Sequence, residues 1–260
     1  MKRLHLVELE DLPWFPAIVR DGGTAYLELI ERLAGHPRLL AKPLADIMLA
    51  TGEQRITDLC SGGGGPLMPV VDALVDRGID VHVTLTDAFP NVPSLSRVAS
   101  QSDGRIEFFA QPVDATAVPA ELKGVRTLFN AFHHFRPDVA RRILQDAVTA
   151  RRPIAIFEFV NREPLTMLAL ALSTPLAVTL TMPAWRPFRW PWVLLTWGLP
   201  IMQLFTLWDG LVSCLRVYSE DELDELVRGL DAAHWHWDIG RIKLGDTPVR
   251  ATYLTGYPRS

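Results

Sequence analysis

Residues 56–66 read ITDLCSGGGGP, an apolar, acid-bearing run followed at once by four consecutive glycines. Each glycine costs about 0.5–1 kcal/mol against alanine in regular structure, so such a run belongs where something must approach the backbone closely. A strand, a glycine-rich turn and a helix together form an anion- and nucleotide-binding corner, because backbone N–H groups and the helix N-terminus aim at one point. Ligands of such sheets sit beyond the carboxyl ends of the strands, so neighbouring strand ends should supply further contacts. Asp87 closes a second strand-like run 23 residues after Gly64, the spacing of a carboxylate that accepts bonds from ribose hydroxyls. Asp114 closes a third. A glycine turn with one acid leaves the ligand open, since a dinucleotide enzyme would show the same pair.

Other side chains could do chemistry. FNAFHHF (129–135) ends a fourth run with His133 and His134, which titrate near neutrality and could take a proton from an acceptor. On an extended chain adjacent residues face opposite sides, so at most one of them, with His134 favoured, should face the acceptor. The alternative for both is packing or helix capping. Glu158, within an apolar run, is either a second catalytic candidate or a structural partner for a backbone amide or Arg162, because buried carboxylates are rarely unpaired. His234 and His236 alternate with Trp235 and Trp237; without a third ligand at suitable spacing they read as an exposed polar face rather than a metal site. Arg20 lies in PWFPAIVRDGGT (13–24), ahead of the first strand, where it could pair with a cofactor carboxylate.

The elements that must position these residues follow from periodicity. Residues 1–50 read as helices interrupted by turns, with RDGGT (20–24) a break, 25–34 and 43–52 helical, and Gly52 a C-terminal cap. From residue 55, strand-like runs at 55–60, 80–87, 105–114, 125–132 and 153–160 are interspersed with helical runs at 66–78 and 137–152. That alternation predicts a parallel sheet covered on both faces, with right-handed crossovers. YSEDELDELVRGL (218–230) reads as a helix in which Ser219 and Glu222 have capping-box spacing. HWHWDIGRIKL and VRATYLTGY, joined by GDTP, predict an antiparallel hairpin at the sheet edge.

With these residues in view, the chain resembles the class I S-adenosylmethionine-dependent methyltransferases, over Asp58 to Phe159 and again over Tyr218 to Tyr257. DLCSGGG looks like that family's D-x-G-x-G-x-G turn, TDAF like its ribose-binding acid, VDAT like the Asp-Ala pair beside the adenine, and FNAFHHF like the segment beside the methionine moiety. The terminal hairpin resembles the antiparallel edge that separates this fold from dehydrogenase domains. The resemblance implies an α/β, Rossmann-like seven-stranded methyltransferase sheet, mostly parallel, with S-adenosyl-L-methionine as cofactor. By it, the turn from Asp58 through Cys60, Gly62 and Gly64 cradles the methionine part. Asp87 with Ala88 takes the ribose, Asp114 and Ala115 the adenine, and Asn130 and Ala131 the amino-acid end. One residue departs: Cys60 stands at the family's first glycine. A negative φ there lets cysteine fit without strain; a positive φ would put the alignment off by one.

A third region has its own character. Between Glu163 and Arg186 lie 22 uncharged residues, and between Arg189 and Asp209 another 19. Both approach the roughly 20 that cross a hydrocarbon core. WRPFRW, the link between them, places arginines among tryptophans as at a membrane–water interface. Pro175, Pro183, Pro200, Gln203 and many threonines oppose a full span. An apolar helical hairpin is expected over 161–215, with membrane contact through 164–208, a lid over the acceptor pocket and a dimer interface all open. The expected organisation is an N-terminal helical cap (1–52), a core (53–160 and 216–260) and this insertion.

Composition sets outer bounds. The 260 residues carry a net charge of −4 with no basic block, and no N-P-P-Y or D-P-P-Y run, which disfavours nucleic acid as substrate. Cys60 and Cys214 are the only cysteines and are far apart, which favours a reducing, cytoplasmic setting, peripheral or hairpin-anchored at the membrane if the apolar stretch binds one. The basic start MKR turns acidic before any apolar run, unlike a secretory signal. The expected function is methyl transfer to oxygen or nitrogen of a small, apolar or lipid-like acceptor. A nicotinamide-dependent oxidoreductase and a non-catalytic, membrane-associated cofactor-binding protein are the alternatives.

Overall fold

The computed structural model describes residues 1–35, 37–65, 67–230, 234–245 and 250–259. They form two compact units, one built from Met1–Ala34 with Val160–Val217, the other from Gly35–Phe159 with Tyr218–Ser260.

The larger unit is a seven-stranded sheet in the order β3-β2-β1-β4-β5-β7-β6. Its strands are β1 (Arg55–Asp58), β2 (His82–Leu85), β3 (Ile106–Phe108), β4 (Val125–Phe129), β5 (Ile154–Glu158), β6 (Trp235–Lys243) and β7 (Arg250–Pro258). β1 to β5 are parallel; β7 runs antiparallel to both β5 and β6, so the expected hairpin closes one edge. Most of its GDTP connection lies outside the described residues.

Period-two alternation explains why both faces are covered. Val125, Phe129, Ala155 and Phe157 feed one core with α2 (Pro37–Thr51), α3 (Leu67–Val75) and α4 (Val92–Ser100). Leu128, Ile154 and Ile156 feed the other with α5 (Pro137–Thr149) and α9 (Glu220–Val227). The capping box at Ser219 and Glu222 is formed in both directions, and Gly52 follows α2 at φ +67° as a left-handed cap.

Two expectations about this unit change. α4 occupies a segment without a clear periodic signal; its start is fixed by Asn91, whose side chain accepts from the Ser94 N–H at 3.3 Å. β3 is shorter than the run at 105–114: it stops at Phe108, so Asp114 sits in the following loop rather than at the strand end. That loop is held by Phe109 N–H donating to Leu85 O and Val113 N–H to Asp87 O, both at 2.9 Å.

In the smaller unit α1 runs unbroken from Ala17 to Ala34, so RDGGT is not a break. The glycines serve packing: a Cβ on Gly22 would lie 2.6 Å from Met202 Cε, and one on Gly23 2.6 Å from Phe205 Cε1. Close contact there outweighs the helix cost of two glycines. The apolar stretch folds as α6 (Pro164–Thr181), a short α7 (Pro191–Val193) continuing into a π turn, and α8 (Ile201–Arg216), with α6 packed on α8.

Candidate active site

The order β3-β2-β1-β4-β5 reverses direction between β1 and β4, and the crevice beyond the carboxyl ends of those two strands is where such sheets bind ligands. The glycine turn follows β1, and the FNAFHHF segment follows β4.

Asp58, the last residue of β1, organises the turn from within. Its side chain is buried, Oδ1 accepting from Thr127 Oγ1 and Oδ2 from Ser61 Oγ, each at 2.6 Å. Burial pushes its carboxyl up to about 7, opposed by the two hydroxyl bonds and reinforced by the charge of Asp87. The turn is stitched to β2 by Ser61 N–H donating to Thr86 O at 2.9 Å and Thr86 Oγ1 donating to Asp58 O at 2.8 Å. Thr127, Ser61 and Thr86 do not stand out in the sequence, because isolated hydroxyls beside apolar runs carry no periodic signal.

Cys60 has φ +59°, so the strain-free condition for a cysteine at that position is not met. A one-residue shift does not follow, because it would replace the motif acid by Thr57 or Leu59, and Asp58 remains the acid that closes β1. The chain accepts a left-handed non-glycine residue here, at a local cost of about 1–2 kcal/mol. Burial, then the charges of Asp87, Asp58 and Asp114, raise the Cys60 thiol far above its ordinary value.

Gly62 (φ +54°) and Gly64 (φ +105°) are also left-handed. They differ in surroundings. A Cβ on Gly64 would meet Val98 Cγ2 at 2.6 Å, whereas one on Gly62 would meet nothing within 4 Å. Gly64 thus serves packing against α4, and Gly62 leaves open space above the turn. Asp87 is half-buried beside it, Oδ2 accepting from Gly62 N–H and Oδ1 from Phe89 N–H, both at 2.8 Å. Each oxygen keeps a lone pair for a further donor. Ala88 is exposed; Asp114 is exposed and accepts from Thr116 N–H and Oγ1 at 2.8 Å, while Ala115 is buried.

Asn130 is left-handed at φ +48° and ties two strand ends together. Its N–H donates to Phe157 O at 2.8 Å, and its Oδ1 accepts from Phe159 N–H at 2.7 Å. Ala131 is buried and precedes a 3-10 turn, Phe132–His134. The histidines are therefore not on extended chain. Their rings stack with centroids 4.3 Å apart. His133 is buried, its N–H donating to Glu158 Oε1 at 2.9 Å and its Nδ1 lying 2.7 Å from Glu158 Oε2. An ionised carboxylate accepts only, so in this contact the Nδ1–H of the ring is the donor. Glu158 holds a backbone amide, as one of its expected roles required, and in addition orients His133.

Elsewhere, Arg20 donates to the carbonyls of Glu10, Leu12 and Phe15 within the smaller unit. His234 and His236 are exposed next to buried Trp235, and the His236 ring packs 5.0 Å from Tyr257.

No family model matches the chain, and no curated protein matches its sequence. Solved structures match its fold. The plantazolicin methyltransferase BpumL in complex with SAH superposes at a TM-score of 0.59 with 12% identity, over 96% of this chain and 94% of that one. The S-adenosylmethionine-dependent methyltransferase SibL in its apo form gives 0.56 with 15% identity, over 97% of this chain and 61% of that one. Human N-acetylserotonin methyltransferase in complex with SAM gives 0.52 with 15% identity, over 100% of this chain and 63% of that one. This chain also spans 57% of an O-methyltransferase family protein from Burkholderia thailandensis. The seven-stranded methyltransferase fold is the common feature.

Proposed function

We propose that this protein is a methyltransferase that uses S-adenosyl-L-methionine and acts on oxygen or nitrogen of a small, apolar or lipid-like acceptor. The observation that carries the reading is the glycine turn at the strand-order reversal, open above Gly62, with Asp58 buried at its start and Asp87 bonded to the Gly62 N–H. An adenosyl group bearing an amino acid fits such a corner: carboxylates for ribose and adenine, and open space above Gly62 for the amino-acid end. Asp87 would hold the ribose, Asp114 with Ala115 the adenine, and the Cys60–Gly64 turn with Asn130 and Ala131 the amino-acid end. Asp58 acts through Ser61, keeping the turn in shape.

The bound cofactor would supply an already activated sulfonium methyl. What is left to the chain is to position the acceptor, exclude water and receive a proton. The His133–Glu158 pair has the orientation of a base and its partner: the carboxylate holds the ring through Nδ1 and the backbone through the His133 N–H. Stacked His134 limits the rotation of that ring. The apolar composition of 164–208 favours an apolar acceptor. A nicotinamide-dependent oxidoreductase is the weaker reading, because β7 lies antiparallel between β5 and β6.

Transfer of radiolabelled methyl from S-adenosylmethionine to a panel of apolar phenols, carboxylic acids and amines tests the proposal. Incorporation into one class, reduced at least about tenfold in Glu158→Gln while cofactor affinity holds, is the expected result. Cofactor binding without transfer to any of them would leave a binding protein instead.

A further inference from the structure

The smaller unit carries a surface that the methyl-transfer reading does not use. From 164 to 208 every exposed residue is apolar, proline or glycine except Ser173, Arg186 and Arg189. On α6 the exposed leucines are Leu165, Leu168, Leu172, Leu176 and Leu180, between 55% and 72% accessible. Steps of three and four residues put them in one line along the helix, about 22 Å long at 1.5 Å per residue. The opposite side of α6 is the packed one: Thr174, Val178 and Met182 are buried, the last two in a cluster with Trp185, Trp192, Met202 and Phe205. The exposed stripe continues through Phe188, Trp190, Leu194 and Trp197 to Leu204 and Trp208 on α8.

The surface ends where the polarity changes. At Asp209 the carboxylate accepts from the N–H groups of Leu9 and Glu10, at 2.8 and 3.0 Å, and beyond it Arg216 pairs with Asp11 at 2.6 Å and Glu8 at 3.2 Å. The last half of α8 is thus covered by the N-terminal segment, whose Val7 carbonyl also accepts from Trp208 Nε1–H at 3.0 Å, while on the first half Leu204 and Trp208 stay exposed. Monomeric soluble proteins rarely leave a continuous apolar patch of this kind. Three properties select the occupant. Trp190, Trp197 and Trp208 are exposed in the same stretch, and exposed tryptophans suit a headgroup boundary. The only charges in 164–208 are Arg186 and Arg189; Arg189 is paired with Asp21 at 2.7 Å, and exposed Arg186 is the cation offered to an anionic surface. And although α6 is long and apolar enough to cross a membrane, its Thr174 and Val178 side is packed and the segment 191–198 is bent 80° from α8, a geometry suited to lying in an interface.

We propose that the outward face of α6, the α6–α8 connection and the first half of α8 form a monotopic membrane-binding surface that lies in the plane of an anionic bilayer. The leucine line enters the acyl boundary, with Trp190, Trp197 and Trp208 at headgroup depth and Arg186 facing lipid phosphate. This binding is independent of whether methyl transfer occurs.

The test uses the full chain with vesicles of phosphatidylcholine alone or with phosphatidylglycerol added. Co-sedimentation is expected, stronger with phosphatidylglycerol and weakened by salt. Leu172→Ser with Leu176→Ser should lower partitioning about tenfold or more at an unchanged melting curve. If that variant does not fold, Leu204→Ser on α8 provides the same comparison. Arg186→Gln should remove much of the preference for phosphatidylglycerol. Tryptophan quenching should be stronger with lipids brominated near the headgroup than at the acyl terminus. No binding to either vesicle overturns the proposal, and so does self-association abolished by the same leucine substitutions, which would assign the face to a second copy. Quenching strongest at the bilayer centre overturns the in-plane geometry. Titration of S-adenosylhomocysteine into the leucine variant separates this outcome from failure of the methyltransferase reading.

Discussion

Gly62 and Gly64 share a left-handed backbone but not a task, and substitution separates them. Alanine at Gly62 meets no atom within 4 Å, so only backbone strain of about 1 kcal/mol is expected, while its methyl enters the space assigned to the cofactor. A melting curve close to wild type with S-adenosylhomocysteine affinity down at least about tenfold is the expected pair of results. Alanine at Gly64 drives into Val98 and should cost about 1–3 kcal/mol beyond the strain. Asp58 gives a pH signature. Its carboxyl moves from 3.8 to about 7 on folding, so across that window the folded chain holds a proton the unfolded chain has lost. The stability of wild type relative to Asp58→Asn should therefore decline as pH rises from about 4 to 7 and level off above; paired melts across that range measure it, and a difference independent of pH would contradict the assignment. Asp58 and Asp87 stand out in the sequence because each follows an apolar run, whereas Asp114 lies in the loop after β3. The supports of Asp58 do not stand out, because Thr127 lies 69 residues from Asp58 and hydroxyls in strands carry no periodic signal.

At the scale of elements, the core strands and α5 followed from period two and period 3.6, the two regularities that burial enforces. What failed was where tertiary contact overrides local preference. α1 continues through two glycines because Met202 and Phe205 need the space, β3 stops early at the sheet edge, and the histidines occupy a 3-10 turn instead of extended chain. Arg126 on β4 shows the same logic in a charge. It is 2% exposed and bonded to Asp146 of α5 at 2.6 Å. Burial lowers its pKa, and Asp146 opposes that shift. Removing the partner strands a buried guanidinium, so Asp146→Ala should cost about 3 kcal/mol in denaturant unfolding, and adding Arg126→Met should recover most of it. Equal losses in the single and double variants would show that the pair is not what holds α5 to β4.

For the whole molecule, the sheet order with its antiparallel β7 and the glycine corner at the order reversal bring together features that lie far apart in the sequence. The apolar hairpin was visible from composition, but which side of α6 is bare depends on the packing of α6 against α8, and no single-chain periodicity supplies that. The account rests on the corner after β1 receiving an adenosyl-amino-acid ligand, and calorimetric titration of the full chain with S-adenosylhomocysteine and with NAD(H) tests that most directly. Saturable one-site binding of S-adenosylhomocysteine, weakened at least about tenfold in Asp87→Ala, with no heat from NAD(H), is the predicted result. Binding of NAD(H), or affinity for S-adenosylhomocysteine that ignores Asp87, would contradict it.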